Sequence, residues 1–337
     1  MLNFDEGVFL DSQRGAVSCA EELHGVVETL LADGADNLLW VGSGGAGILM
    51  WPAAALLAAR STFPSRVELP AELVINGSAL LSARSIVVMP SRSGDTPETL
   101  EALRYCQQSG AKVIALTGTP DSALATQADI NLTNPVGDEN SSESYFIQSI
   151  CLALSVMSRR GEIDDYAELM ESVRRLPEAM LAAKQAFEPR AQEIATEFTK
   201  GSFHMIVGAG PSWAEAMYYG MCILEEMQWI LTRPVHAAEF FHGPLELVEK
   251  EVSCVLFKAE DPFRPLVDRV EDFVRSHTNR VTVLDTAEVE TPGVSAEVRS
   301  LLAPALLATL LERVSAHLEV KRDHPLTTRR YYRAMSY

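Results

Sequence analysis

Residues 85–110 read SIVVMPSRSGDTPETLEALRYCQQSG: an unbroken apolar run, a serine-rich polar loop, then a helical pattern. Upstream, NLLWVGSGGAG (Asn37 to Gly47) is a strand entering a glycine loop, and downstream KVIALTG (Lys112 to Gly118) is a further strand. The same plan recurs. HMIVGAGPSW (His204 to Trp213) repeats strand and glycine turn, CVLFKAEDPFRPLVDRVEDFVRS (Cys254 to Ser276) repeats strand, loop and helix, and RVTVLDT (Arg280 to Thr286) repeats the last strand. Continuous Val/Ile/Leu strands alternating with helices imply parallel sheets covered on both faces, so the expected fold is α/β, with two doubly wound lobes.

The chain of 337 residues, with no long polar or low-complexity spacer, suits two packed lobes. The expected organisation is a first lobe over residues 18–165, linker helices over 166–199, a second lobe over 200–320 and a short tail over 321–337. A hydrophobic fraction of 47% with 22% charged residues is that of a soluble globular protein. Neither apolar run, GILMWPAAALLAA or LLAPALLATLL, approaches the ~20 residues a membrane helix needs, and no membrane partner is expected. The acidic opening MLNFDEGVFLDSQRG lacks the features of a secretory leader, so a cytoplasmic location is expected. Five scattered cysteines, without a Cys-x-x-Cys pair, suit neither a disulfide framework nor a zinc knuckle. A net charge of -18 argues against nucleic acid as a partner, since Lys and Arg concentrate only in the tail KRDHPLTTRRYYR. That charge also repels an anionic ligand at long range, so any phosphate site needs a local set of donors.

Ligands of such sheets sit at the carboxyl ends of the strands. PSRSGDTPETL (Pro90 to Leu100) follows a buried strand and opens a helix, whose first N–H groups are unpaired. Asp95 or Thr96 as N-cap, Pro97 in the first turn and Glu98 explain the segment as a helix start. Capping leaves over Ser91, Arg92, Ser93 and Gly94, a group of hydroxyls, amides and one cation of the kind that surrounds a phosphate. The matching loop of the second copy, KAEDPFRP, carries Glu260 and Asp261, which repel a phosphate. The loop GSGGAG (Gly42 to Gly47) is not G-x-G-x-x-G, and no acidic residue follows the next strand at the place a ribose requires, which argues against a dinucleotide. Its glycines, Gly45 among them, with Ser43, let the backbone approach a sugar.

Between Trp213 and Thr232, Met217, Met221, Ile223, Leu224, Met227, Ile230 and Leu231 recur at helical spacing, which predicts a mostly buried helix. Glu225 and Glu226 on it point about 100° apart, so at most one faces a common cleft. Periodicity leaves open which, and allows an ion pair with Arg233 or a linker lysine as readily as an acid–base role. His242, a lone histidine in the apolar stretch EFFHGP, reads from its surroundings as a hydrogen-bonded core residue. Its distance from His236 fits no common zinc spacing, and no metal is expected. No G-x-S-x-G elbow is present.

On MPSRSGDTPET, EMQWI, EFFHGP and the terminal HPLTTRRYY (His324 to Tyr332), the chain from about residue 35 onward resembles the sugar isomerase (SIS) domain proteins. Within them it looks most like the deglycases of 6-phosphorylated fructosamines. The resemblance implies catalytic roles for Glu226 and His242, with Glu225 a neighbour, and a phosphate held by Ser91, Ser93 and Thr96. It also implies a homodimer with sites near the lobe and subunit interfaces, so that His242 serves a partner chain's site. Many relatives have a serine at the position of Ala46 and a lysine near Ile147; Arg92 is the cation left to compensate. The implied reaction converts a 6-phosphofructosyl amino acid to glucose 6-phosphate and amino acid without metal or organic cofactor. The phenylalanines beside His242 are expected as walls that exclude water from its ring. Rival expectations are an aldose–ketose isomerase or amino-sugar-phosphate deaminase on the same scaffold, and a non-catalytic phosphosugar-binding module. Glutamine-dependent synthesis is not expected, since no N-terminal cysteine nucleophile opens the sequence.

Overall fold

The structure, a computed structural model, describes residues 1–137 and 141–335. The chain forms two compact units, one of residues 6–177 and one of residues 1–5 with 178–337. The segment expected as linker helices is helical and is divided at this boundary. Tyr166–Val173 lies in the first unit, while most of Leu176–Phe198 lies in the second and places Ala191, Ile194, Ala195 and Phe198 in its core.

The strands of the first unit are β1 (Asn37–Val41), β2 (Ser65–Glu68), β3 (Ser85–Ser91), β4 (Lys112–Thr117) and β5 (Ile130–Thr133). Those of the second are β6 (His204–Gly208), β7 (Thr232–His236), β8 (Ser253–Lys258) and β9 (Arg280–Asp285). The first sheet runs β2-β1-β3-β4-β5 and the second β7-β6-β8-β9, and every pairing is parallel. The repeat seen in the sequence is thus a repeat of topology. β1, β2, β3 and β4 correspond to β6, β7, β8 and β9, and the first copy adds β5. The short strands β2, β5 and β7, whose residues are mostly only partly buried, escaped the reading of apolar runs.

Both faces of each sheet are covered, which is why the central strands are apolar without alternation. Leu39, Val41, Val87, Met89, Val113 and Ala115 pack against Ala102, Leu103 and Cys106 of helix Pro97–Gln108. On the opposite face Leu38, Trp40, Ile86, Val88, Ile114 and Leu116 are also fully buried. In the second unit, Met205, Val207, Cys254 and Leu256 pack on Val267, Val270 and Val274 of helix Arg264–Arg275. The other face of that sheet, with Ile206, Val255 and Phe257, packs on helices Leu176–Phe198 and Ala303–Arg322. Each fully buried aliphatic side chain contributes roughly 1.5–3 kcal/mol.

Strand order reverses between β1 and β3, so their loops leave the sheet side by side at its carboxyl edge. A Cβ on Gly42, just after β1, would lie 3.1 Å from Pro90 of β3 and 2.9 Å from the Gly47 Cα, so only glycine permits this crossing. In the glycine turn after β6, a Cβ on Gly210 would lie 2.2 Å from the Phe263 ring, which covers that turn. No helix among the described residues is long and apolar enough to cross a membrane.

One expectation needs correction. The helix predicted from Trp213 to Thr232 is α-helical only over Pro211–Tyr218 and π-helical over Tyr219–Glu225. It ends before Trp229, whose φ of 54° reverses the chain into β7. A left-handed non-glycine residue costs about 1–2 kcal/mol, offset here by hydrogen bonds from Trp229 N–H to the Glu225 carbonyl and from Ile230 N–H to that of Leu224. The helical spacing overran the real end, and Leu231, expected on the buried face, is 67% exposed.

Candidate active site

Ser91 closes β3 and is buried, its Oγ accepting the Gly94 N–H at 3.0 Å. Gly94 has φ +63° and lies against Ser122, where a Cβ would come within 2.2 Å of the Ser122 Oγ. Its carbonyl accepts from Leu124 N–H at 2.9 Å, so the loop is clamped to the following strand–helix turn. The Arg92 carbonyl accepts from Gly118 N–H at 3.2 Å and Thr119 Oγ1 at 3.0 Å. Arg92 and Ser93 are half-buried. The Arg92 cation faces Tyr145, whose phenol burial pushes to a higher pKa while Arg92 partly offsets the shift.

Thr96 is the N-cap of helix Pro97–Gln108, yet its hydroxyl makes no cap hydrogen bond to the helix. Ser43, exposed at the start of Gly44–Ile48, likewise makes none, and Gly45 beside it is half-buried. Ser91, Arg92, Ser93 and Thr96 thus share one loop, and Ser43 and Gly45 stand on the neighbouring strand end. Ala46 is half-buried and Ile147 is fully buried in the first unit's core. The loop's holders, Thr119 and Ser122, were missed; the only signal for them was the N-cap pattern in TPDSALAT, and Ser122 does cap the helix Ala123–Gln127.

The second copy uses its loop differently. Lys258 is held by Asp268 at 2.5 Å and Glu271 at 2.7 Å, and Glu260 pairs with Arg299. Asp261 accepts the Phe263 N–H at 2.8 Å, and burial raises its pKa. The charges of this loop are engaged within the unit, and its two carboxylates disfavour an anion.

Glu225 and Glu226 diverge as the helical angle requires. Glu225 accepts Thr232 Oγ1 at 2.7 Å and Thr232 N–H at 3.3 Å, tying the helix end to the start of β7. The expected alternative, a pair with Arg233 or a linker lysine, is not what holds it. Glu226, 37% exposed, lies 3.1 Å from Arg329 Nε of the C-terminal tail. The tail runs across the EMQW stretch: the buried Gln228 donates Nε2–H to the His324 carbonyl at 2.7 Å, and Arg330 lies 4.0 Å over the Trp229 ring. The sequence marked this tail as the chain's one concentration of cations and, in HPLTTRRYY, as part of the resemblance, but not as a neighbour of Glu226.

His242 is exposed, so the expectation that Phe240 and Phe241 wall off its ring is overturned. Phe240 is fully buried and meets Phe241 at 5.1 Å and Phe273 at 5.7 Å, so these rings serve the core. Gly243, with φ +135°, and Pro244 at the start of the turn Pro244–Leu247 carry the histidine outward. His236 accepts the Ala238 N–H at 3.1 Å, and burial lowers its pKa. Among the described residues no three His, Cys, Asp or Glu side chains gather as a metal site. All five cysteines are buried and free, and burial pushes the Cys106, Cys151, Cys222 and Cys254 thiols up to about 12, which removes them as nucleophiles at neutral pH.

The serine loop thus gathers hydroxyl and amide donors at the switch point of a parallel sheet, in one copy of a duplicated α/β chain. The chain matches the sequence profile of the SIS domain over residues 34–159. It resembles the fructosamine deglycases along most of its length. Over 321 residues it is 29% identical to fructosamine deglycase FrlB of Bacillus subtilis (strain 168), covering 94% of this chain and 97% of that one. Over 252 residues it is 26% identical to the fructoselysine 6-phosphate deglycase of Escherichia coli (strain K12), covering 75% and 72%. A crystal structure of a Bacillus subtilis protein superposes with a TM-score of 0.88 at 27% identity, covering 96% of this chain and 99% of that one.

Proposed function

We propose that the protein is an enzyme that hydrolyses a 6-phosphofructosyl amino acid to glucose 6-phosphate and the free amino acid. The observation that carries this reading is the match along 97% of a fructosamine deglycase, by a chain that also holds a donor-rich loop in one copy and an acidic one in the other. Ser91, Ser93 and Thr96, with the amides of the helix start and Arg92, bind the phosphate, and Ser43 and Gly45 approach the sugar. The ring must open first, and His242 exchanges the proton at the ring oxygen. Glu226 then takes a proton from C1 and returns it to C2, while the C2 oxygen gains a proton and the nitrogen gives one up, which turns the ketosamine into a C1 Schiff base with a C2 hydroxyl. Water adds to C1, the C–N bond breaks, and the amine leaves with a proton. The net change is isomerisation plus hydrolysis, with no oxidation. The exposure of His242 accords with a homodimer in which it serves the partner chain's site, and sedimentation at twice the chain's mass checks that. A cytoplasmic location goes with this substrate class.

The test is glucose 6-phosphate release from a panel of phosphorylated fructosamines by wild type, Glu226→Ala and His242→Ala. Each variant should lose roughly 10²–10⁴-fold in kcat, the usual weight of a positioned acid or base. Phosphosugar binding without release from any substrate would mean a non-catalytic module. Interconversion of aldose and ketose phosphates, or ammonia release from an amino-sugar phosphate, in place of deglycation would reassign the site.

A further inference from the structure

We infer that Arg329, in the C-terminal tail, is a positioning residue for Glu226, an inference that rests on the acid–base role proposed above. Arg329 Nε lies 3.1 Å from Glu226 Oε1, with the arginine side chain only 18% exposed. The guanidinium is itself held: Nη1 donates to the Leu326 carbonyl at 2.6 Å and to the Thr328 carbonyl at 3.0 Å. Those carbonyls belong to a turn closed by Thr328 N–H on the Pro325 carbonyl at 2.8 Å.

The turn is fastened on both sides of the ion pair. Before it, Arg322 donates to the Gln228 carbonyl at 3.1 Å, Gln228 donates to the His324 carbonyl, and the His324 ring meets the Trp229 edge at 4.5 Å. After it, Arg330 lies over Trp229. The cation beside Glu226 is thus at the end of an anchored strap. Glu226 needs such a support. It follows a π-helical turn, its carboxylate ends a flexible side chain that is 37% exposed, and a shuttle between two adjacent carbons tolerates little displacement. In a chain of net charge -18, a fixed cation here also offsets repulsion between the carboxylate and a phosphorylated substrate.

A half-exposed ion pair adds little to global stability, so its loss should register in turnover before it registers in folding. The experiment is steady-state kinetics on phosphorylated fructosamines with wild type, Arg329→Ala, Arg329→Lys, Arg330→Ala and Glu226→Ala, alongside thermal melting. Arg329→Ala should lower kcat by roughly 10- to 100-fold while KM stays within about threefold and Tm within about 2 °C. Arg329→Lys should recover part of kcat, because it restores the charge without the fork that engages two backbone carbonyls. Arg330→Ala removes one fastening but leaves the ion pair, so it should lose clearly less kcat than Arg329→Ala. Wild-type kcat in Arg329→Ala overturns the inference. So does a joint fall of kcat, affinity and Tm, or an equal loss in Arg330→Ala, since either would make the tail a general structural support. Wild-type turnover by Glu226→Ala would instead overturn the assignment of Glu226 itself, and this inference with it.

Discussion

Glu225 and Glu226 are adjacent, chemically identical, and differently employed. Glu225 spends its carboxylate on Thr232, so Glu225→Ala should cost about 1 kcal/mol in urea denaturation and leave turnover within a fewfold of wild type. If Glu225→Ala abolished turnover while Glu226→Ala did not, the two roles would be exchanged. Ser91→Ala removes a loop hydroxyl that also receives the Gly94 N–H, and should raise KM about tenfold with a smaller change in kcat. His204, on β6, has no exposure and neither ring nitrogen has a well-directed partner. Burial, with Arg280 nearby, pushes its pKa from 6.5 down to about 4. The unfolded chain therefore binds a proton through this window that the fold refuses, so stability is complete above pH 6.5 and declines as pH falls toward 4. The decline attributable to His204 approaches about 3 kcal/mol, at about 1.36 kcal/mol per pH unit. Urea midpoints against pH should flatten over that range in His204→Leu; an unchanged slope would remove the histidine as the cause.

At the level of elements, the π-helical turn Tyr219–Glu225 ends on Glu225 and has Glu226 as its C-cap. It forms where the chain must bring Gly220 against the edge strand β7, and a Cβ on Gly220 would stand 2.7 Å from Pro234 Cγ. Gly220→Ala should therefore cost about 1–3 kcal/mol by overpacking, measured as a lower urea midpoint, and should reduce kcat as the helix end shifts. Periodicity could not show this turn. An α-turn and a π-turn differ in which carbonyl each N–H finds, i−4 or i−5, and one apolar stretch of seven residues does not record that choice. β7 was hidden for a related reason: TRPVH is a partly buried edge strand, and its proline fits an edge without any apolar run to announce it.

For the whole molecule, charge and duplication act together. A net charge of -18 repels a dianionic ligand at long range, and the proposed phosphate loop must overcome that repulsion over a few ångströms. KM for a phosphorylated substrate should therefore fall as ionic strength rises from roughly 0.01 to 0.1 M, where the screening length shrinks from about 30 to 10 Å. A KM that climbs steadily over this range would show that local pairing dominates instead. Duplication was legible because each copy repeats strand, loop and helix in one order, and the acidic character of the second loop was legible in Glu260 and Asp261.

The amino-acid order by itself determined two parallel α/β sheets, the serine loop and the acid pair, because burial on both faces demands continuous apolar strands and loops at their carboxyl ends keep their polar chemistry in sequence. Tertiary structure decided the rest. It set Phe263 over the second glycine turn, turned His242 outward while its phenylalanine neighbours went to the core, and brought Arg329 to Glu226 across 103 residues of chain. Those outcomes depend on contacts between segments far apart in sequence, and no local periodicity records which distant segment will meet which.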